Sequence, residues 1–270
     1  MSFELGRAVL SRLLPDVIDL AKQTGKTIIE TEALSVEIQE KSDLTPVTNA
    51  DLAASKLIEE RLISMPGNFP VLSEESENID FSTRKNWPCY WLVDPLDGTR
   101  EFINQNGEYS VNIALIYKHE PVLGVIYAPV QGELYYAFQG GGAFKVEGLG
   151  SPQLIHVCKQ KREPLVVACG NSQPGTEYQK LMKNLGAICF LAMGSSLKSC
   201  LIAEGKADLY ARLGPTSEWD TAAAQCIVEE AGGRLTDTDL QPLRYNTKES
   251  LLNPHFLVYG DKQVNWQQYL

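Results

Sequence analysis

Four groups of acidic residues stand where this chain could do carboxylate chemistry. The most informative is Asp94 and Asp97 in WLVDPLDGT, residues 91–99. An apolar strand leads into the pair, Pro95 stiffens the turn between them, and Gly98 admits unusual backbone angles. Asp, Pro and Gly also make ordinary surface turns. Two carboxylates at the end of a buried strand, however, are costly unless a cation offsets them. Hard cations such as Mg²⁺ take oxygen ligands of this kind, and a rigid turn can add the carbonyl of Leu96. The N–H groups of Gly98 and Thr99 would open the next helical turn and offer a seat for a phosphate. Metal-assisted phosphate chemistry therefore outranks the plain turn.

The other groups are weaker taken singly. Glu74 and Glu75 follow the apolar run VLS, where surface glutamates are common. Asp51 stands three residues after Thr48, the Thr-x-x-Asp form of a capping box, and capping alone would explain it. Asp220 opens the Ala-rich stretch SEWDTAAAQCIVEEAGG, residues 217–233, where a carboxylate favours a helix N-terminus and can also reach a metal. Only three histidines, His119, His156 and His255, lie far apart in the chain, which argues against zinc chemistry and a Ser-His-Asp hydrolase. A carboxylate-pair glycosidase would have no need of an Asp-x-x-Asp-Gly-Thr turn.

The elements that must position these residues follow from spacing. A helix is predicted from Asp16 to about Glu32, with Pro15 at its first position. Pro46 biases Thr45 away from helical angles, and a second helix runs from near Thr48 to Leu62. Phe69–Ser73 and Cys89–Val93 read as short buried strands. Tyr109–Tyr117 and Val122–Tyr127 read as a hairpin, and Leu134–Phe138 continues the meander. From Pro164 the chain alternates LVVAC, a helix near Glu177–Leu185, ICFLAM, a helix near Ser196–Ala203, ADLYARL and a helix near Glu218–Ala231. The fold class is thus α/β, with an α+β lobe in residues 1–150 and an α/β lobe in 151–270.

The chain has 270 residues, with 24 Lys and Arg against 34 Asp and Glu, a formal charge of −10. That profile is soluble and globular, long enough for one large domain or two lobes sharing a core. The acidic balance excludes long nucleic acids and anionic membranes as general partners. It leaves room for a small phosphorylated ligand, since a metal can supply positive charge locally. Residues 1–150 hold 22 acidic and 12 basic side chains, whereas 151–270 hold 12 of each. Six scattered cysteines without a CxxC pair read as buried thiols of a reducing cytoplasm. No run approaches the ~18–20 apolar residues of a membrane span, and no signal cleavage pattern is seen.

The set Thr45-Pro46-Val47-Thr48 with Asp51, Ser73-Glu74-Glu75, Asp94-Pro95-Leu96-Asp97-Gly98-Thr99 and Trp219-Asp220-x-Ala-Ala resembles the lithium-sensitive, Mg²⁺-dependent phosphatases of the inositol monophosphatase superfamily. Order and spacing match along almost the whole chain. DGTREFINQNGEYSVNIALI and MGSSLKSCLIAEGKADLYARLGPTSEWDTAA look like the CysQ-type 3′(2′),5′-bisphosphate nucleotidases within it. Inositol monophosphatases usually continue after DGT with a Thr-Asn-Phe-like run, where this chain has Arg100-Glu101-Phe102.

The resemblance implies a layered α/β/α/β/α sandwich with two or three Mg²⁺ ions between its lobes. It implies that Glu74, Asp94, Asp97, Asp220 and the carbonyl of Leu96 hold the metals, with Asp94 the best candidate for a bridge. A cation-activated water would be the nucleophile, and Thr99, oriented by Asp51, would help take its proton. Gly98 and Thr99 would meet the scissile phosphate, while Gly194, Ser195, Ser196, Lys198 and Arg212 would meet the nucleotide. The implied reaction removes the 3′-phosphate of adenosine 3′,5′-bisphosphate to give AMP and phosphate, with 3′-phosphoadenylyl sulfate as a second substrate. The neighbouring alternative is an inositol monophosphatase or sugar bisphosphatase; a different class is a catalytically silent binding protein on the same fold. A cytoplasmic monomer or homodimer is implied, with peripheral association at the inner membrane left open. Two stretches depart from the pattern. Gly170-Asn171-Ser172-Gln173 replaces a usual Ser-Arg-Ser-His run, and Ala224 stands where Gly is usual.

Overall fold

The computed structural model describes residues 5–40, 46–76, 79–170 and 175–270. Helix α1 (Arg7–Leu34) starts well before Asp16 and carries Pro15 in its interior. The ring removes one helical hydrogen bond, yet Leu10, Leu13, Leu14, Val17, Leu20 and Ile28 form one buried stripe through it. Burial of that stripe outweighs the lost bond. A small hairpin of β1 (Ile38–Glu40) and β2 (Pro46–Thr48) leads into α2 (Asn49–Ile63). Thr45 lies outside the described residues.

The next strands are β3 (Val71–Ser73), β4 (Cys89–Asp97), β5 (Ser110–Tyr117), β6 (Glu120–Ala128), β7 (Glu133–Phe138), β8 (Gly142–Glu147) and β9 (Gln153–Leu154), hydrogen-bonded in that order. Short helices α3 (Phe81–Arg84) and α4 (Thr99–Ile103) flank β4. Only β3 and β4 are parallel in this sheet.

The remaining elements are β10 (Leu165–Cys169), α5 (Thr176–Leu185), β11 (Ile188–Ala192), α6 (Leu197–Ala203), β12 (Leu209–Arg212), α7 (Ala222–Glu230), β13 (Arg234–Asp237) and β14 (Phe256–Tyr259). They build a second sheet of order β11-β10-β12-β14-β13. The changeover between sheets falls between Leu154 and Leu165. The helix predicted over Glu218–Ala231 is split into a 3₁₀ turn at Glu218–Asp220 and α7, with Thr221 between them.

Alternation along the strands sets the layers. In β4, Trp91 and Val93 face the core shared with α1 and α2, while Tyr90 and Leu92 face the core shared with α6 and α7. In β14, Phe256 and Val258 join that same inner core, while Leu257 and Tyr259 pack with α5 residues Leu181, Met182 and Leu185. The order is therefore α1/α2, large sheet, α6/α7, small sheet, α5, which is the α/β/α/β/α sandwich expected. Strands covered on both faces read as continuous apolar runs, as β4 and β5 do. Among the described residues no helix is long and apolar enough to cross a membrane. The cysteines are free, but only Cys89, Cys200 and Cys226 are buried; Cys158 and Cys169 are half-buried and Cys189 is exposed. The reading of six buried thiols is corrected accordingly, because β11 lies at a sheet edge.

Helix α7 sits so close to β6 that a Cβ on Gly124 would lie 2.5 Å from the carbonyl oxygen of Ala223. Small Ala222, Ala223 and Ala224 make this approach possible, and all three are buried. Gly124→Ala should therefore lower stability by about 1–3 kcal/mol, the usual result of overpacking. Urea unfolding checks it; an unchanged midpoint would contradict the close contact.

Candidate active site

Strands β3 and β4 run in parallel, and their pairing ends with Ser73 opposite Val93. Glu74 and Asp94 consequently leave neighbouring strands at one level, where Glu74 N–H donates to the Val93 carbonyl at 3.2 Å. Asp220 arrives from the other half of the chain on its 3₁₀ turn, where its Oδ2 accepts from Ser217 N–H at 2.9 Å. The three carboxylates each offer an oxygen within 4.8 Å of the others. Asp220 closes a capping box on the 3₁₀ turn, one element earlier than the Ala-rich helix whose N-terminus it was expected to favour, and it lies beside the other two acids.

A bulge aims the remaining groups. The β4–β5 pairing shifts register between Asp94 and Asp97, where Pro95 can give no ladder hydrogen bond. Asp94, 1% exposed, accepts Leu96 N–H at 3.1 Å. Gly98 adopts φ +96° at the start of α4, a conformation that favours glycine. The Thr99 hydroxyl then lies 3.2 Å from Asp51 Oδ1 and 3.4 Å from the Leu96 carbonyl. Asp51 Oδ2 accepts both the N–H and the hydroxyl of Thr48, at 2.7 and 2.6 Å. The capping box predicted from Thr48 and Asp51 exists, and its carboxylate uses the other oxygen to hold Thr99.

Asp97 meets the N-terminal end of α6. Ser196 N–H donates to Asp97 Oδ2 at 2.6 Å, and Asn112 Nδ2 donates to the same oxygen at 3.2 Å. Ser196 Oγ donates to Asn112 Oδ1 at 2.9 Å and lies 3.0 Å from Ser110 Oγ. Ser110 and Asn112 escaped the sequence reading. Their signal was two polar residues at i, i+2 in an otherwise apolar strand, paired across the sheet with Asp97 and Asp94.

Besides Ser196, four expected nucleotide contacts have structural work of their own. Gly194 has no room for a side chain: a Cβ would lie 2.5 Å from the Glu108 carbonyl oxygen. Ser195 adopts φ +46°, which bends the loop onto Gly98. Lys198, 8% exposed, donates to the Ser195 carbonyl at 2.6 Å and lies 3.4 Å from that of Met193. It is thus a buried cation that folds the loop, not a solvated one. Arg212 Nη2 donates to the Pro215 carbonyl at 3.0 Å. Lys198 and Arg212 also line a cavity of about 360 Å³ walled by Cys169, Tyr178, Phe190 and Tyr210. Gly170 borders it too, whereas Asn171, Ser172 and Gln173 lie outside the described residues.

The acids are held against their usual charge. Burial pushes Asp94 well above the ordinary carboxylate range, and Glu74, Asp97, Asp220 and Asp51 add to the effect. Asp220 is raised to about 8, by burial first and then by Asp97. Burial also raises Asp97, against the pull of Lys198 and the hydrogen bonds from Asn112 and Ser196. Lys198 is itself lowered by burial, with Asp97 opposing. An oxygen-only set of crowded, protonation-prone carboxylates fits a hard divalent cation.

The family model described as the inositol monophosphatase family matches residues 10–265. The chain belongs to the inositol monophosphatase family. Among its relatives, the 3′(2′),5′-bisphosphate nucleotidase CysQ of Aggregatibacter actinomycetemcomitans is 41% identical over 259 residues, 96% of each chain. The nucleotidase of the same name from Salmonella typhimurium is 46% identical over 248 residues, covering 91% of this chain and 99% of its own. The crystal structure of CysQ from Bacteroides thetaiotaomicron, a bacterial member of the inositol monophosphatase family, matches with a TM-score of 0.81 at 38% identity. That match covers 94% of this chain and 98% of the other. Membership of the inositol monophosphatase family accounts for the five-layer order.

Raised carboxylate pKa values make stability depend on pH in one direction. The folded protein keeps protons that the unfolded chain has already released, so this contribution is complete below about pH 4 and is lost as pH rises toward about 8. The metal-free protein should therefore melt progressively earlier between about pH 5 and 8, and Mg²⁺ should raise the midpoint most at the upper end. Thermal melts with and without Mg²⁺ check this. An equal Mg²⁺ shift at both ends would contradict the cluster.

Proposed function

We propose that this chain is a Mg²⁺-dependent 3′(2′),5′-bisphosphate nucleotidase that hydrolyses the 3′-phosphate of adenosine 3′,5′-bisphosphate to AMP and phosphate, with 3′-phosphoadenylyl sulfate as a second substrate. The observation that carries this reading is the aromatic cavity beside the carboxylates. Tyr178, Phe190 and Tyr210 suit a flat base, and Lys198 and Arg212 suit the phosphate that is kept. A hydroxyl-covered inositol ring would find few polar partners on such walls. The names of the relatives at 41% and 46% identity point the same way.

Glu74, Asp94 and Asp220 would hold Mg²⁺, joined by the Leu96 carbonyl and by Asp97 through Oδ1, since Oδ2 is already taken by Ser196 and Asn112. When bound, the cation supplies positive charge to the phosphate and lowers the pKa of the attacking water. The chain's own residues do the rest. Thr99 Oγ1 receives a proton from the water as its own hydroxyl proton passes toward Asp51 Oδ1. Thr48 holds Asp51 fixed for that role through two hydrogen bonds. The water oxygen bonds to phosphorus, the ester P–O bond breaks, and the 3′ oxygen leaves and takes a proton from solvent, to which Asp51 later returns its own. Gly98 and Thr99 N–H groups at the start of α4 face the phosphate oxygens that gain charge.

Two measurements test the reading. Asp97→Asn should reduce phosphate release by roughly 10²–10³ while the fold persists, because an amide oxygen can still accept from Ser196; full activity would sink the metal assignment. Side-by-side turnover with Mg²⁺ should favour adenosine 3′,5′-bisphosphate over inositol monophosphate, and the reverse order would overturn the substrate.

A further inference from the structure

Glu74 and Asp94 project from one sheet, and Asp220 comes from a turn more than a hundred residues later in the chain. Whatever sets the spacing of these acids must tie the two segments together. The segment between Glu74 and Asp94 contains α3, whose last residue, Arg84, is 2% exposed. Its guanidinium reaches the loop between β13 and β14. Nη1 donates to Asn246 Oδ1 at 2.5 Å and to the Lys248 carbonyl at 3.2 Å, and Nη2 donates to the Glu249 carbonyl. Asn246 answers with its own amide, donating Nδ2 to the Arg84 carbonyl at 2.6 Å.

The same loop grips the Asp220 turn. Asn246 N–H donates to Glu218 Oε2 at 2.7 Å, and Glu218 N–H donates to the Leu251 carbonyl at 2.8 Å. Asn253 Nδ2 donates to the Ser217 carbonyl at 2.6 Å. Glu218 is buried and stands two residues before Asp220. A continuous chain of short hydrogen bonds therefore runs from the strand connection between Glu74 and Asp94 to the turn carrying Asp220. The acceptors of the Arg84 guanidinium are two carbonyls and an amide oxygen. A buried cation whose two terminal nitrogens share three acceptors holds a particular geometry, since any shift of the loop strips those nitrogens of partners.

We propose that Arg84, acting through Asn246 and Glu218, is a positioning residue that fixes the Asp220 turn against Glu74 and Asp94 and thereby sets the affinity of the site for a divalent cation. This rests on the metal reading of those three acids.

The test is calorimetric titration of the full chain with Mg²⁺, for wild type, Arg84→Met and Asn246→Gly, with thermal midpoints recorded alongside. Asn246 adopts φ +56°, which glycine accepts without strain, so Asn246→Gly removes both side-chain bonds to Arg84 and leaves the backbone suited to its place. Both variants should bind Mg²⁺ roughly tenfold more weakly, the usual effect of losing a group that orients a metal ligand. At saturating Mg²⁺ the KM for the nucleotide should stay within about twofold, because neither residue lines the cavity. Wild-type Mg²⁺ affinity in a variant that merely melts earlier would make Arg84 structural and overturn the inference. If Arg84→Met fails to fold, Asn246→Gly decides alone. A wild-type chain without saturable Mg²⁺ binding would instead overturn the metal reading itself.

Discussion

Mutual repulsion among buried carboxylates is the constraint on which the rest of this structure depends. Two unit charges 4.8 Å apart repel by about 3 kcal/mol at an effective dielectric of about 20. Glu74, Asp94 and Asp220 form three such pairs, and Asp97 and Asp51 add to the field at Asp94. The sum is comparable with the whole stability of a typical domain, about 5–15 kcal/mol. Such a cluster survives only if protons or a cation neutralise it, and only if rigid backbone holds the acids together. The two requirements explain one another: a framework that resists repulsion is also one that keeps ligands ready for a metal.

The framework is built from strand ends and caps, which Arg84 and Lys198 tie to the neighbouring loops. Parallel β3 and β4 bring Glu74 and Asp94 out side by side, the Pro95 bulge swings Asp97 toward α6, and capping geometry seats Asp51 and Asp220. Each carboxylate has at least one oxygen used by the fold in the cases of Asp51, Asp94, Asp97 and Asp220. At Asp51, capping and the hold on Thr99 are therefore two uses of the two oxygens of one group. A capping box does not weaken the case for function at Asp51; it fixes the oxygen that holds Thr99.

Much of this was legible in the sequence because the signals were local. DPLDGT, Thr48-x-x-Asp51 and the apolar runs of β4 and β5 each need only a few consecutive residues, and they lie where expected. The start of α1 was misjudged because a proline rule outweighed a buried stripe that continues on both sides of Pro15. Ser110 and Asn112 were overlooked because their meaning depends on cross-strand register, which appears only once β4 and β5 are paired. The burial of Lys198 has no local signal, since a single lysine looks the same buried or solvated; α6 buries it by lying between two sheets. Arg84 and Asn246 are 162 residues apart, and no local pattern announces their contact.

The uneven acidity of the chain follows from the same constraint. Residues 1–150 carry 22 acidic and 12 basic side chains, while 151–270 carry 12 of each. The half with the excess supplies Asp51, Glu74, Asp94 and Asp97, and the balanced half supplies Asp220 together with Lys198 and Arg212. A phosphorylated ligand approaching the first half alone would meet net repulsion. Approaching the seam, it meets the Ser196 end of α6 and two basic residues on one side, and acids that favour a cation on the other. Ser196 N–H bonded to Asp97 is where the two halves touch at the site, so the polarity of the seam is fixed by the contact that closes it. On the proposed reading the acidic half would need a divalent cation to accept phosphate, which would make metal occupancy a condition for substrate binding as well as for chemistry.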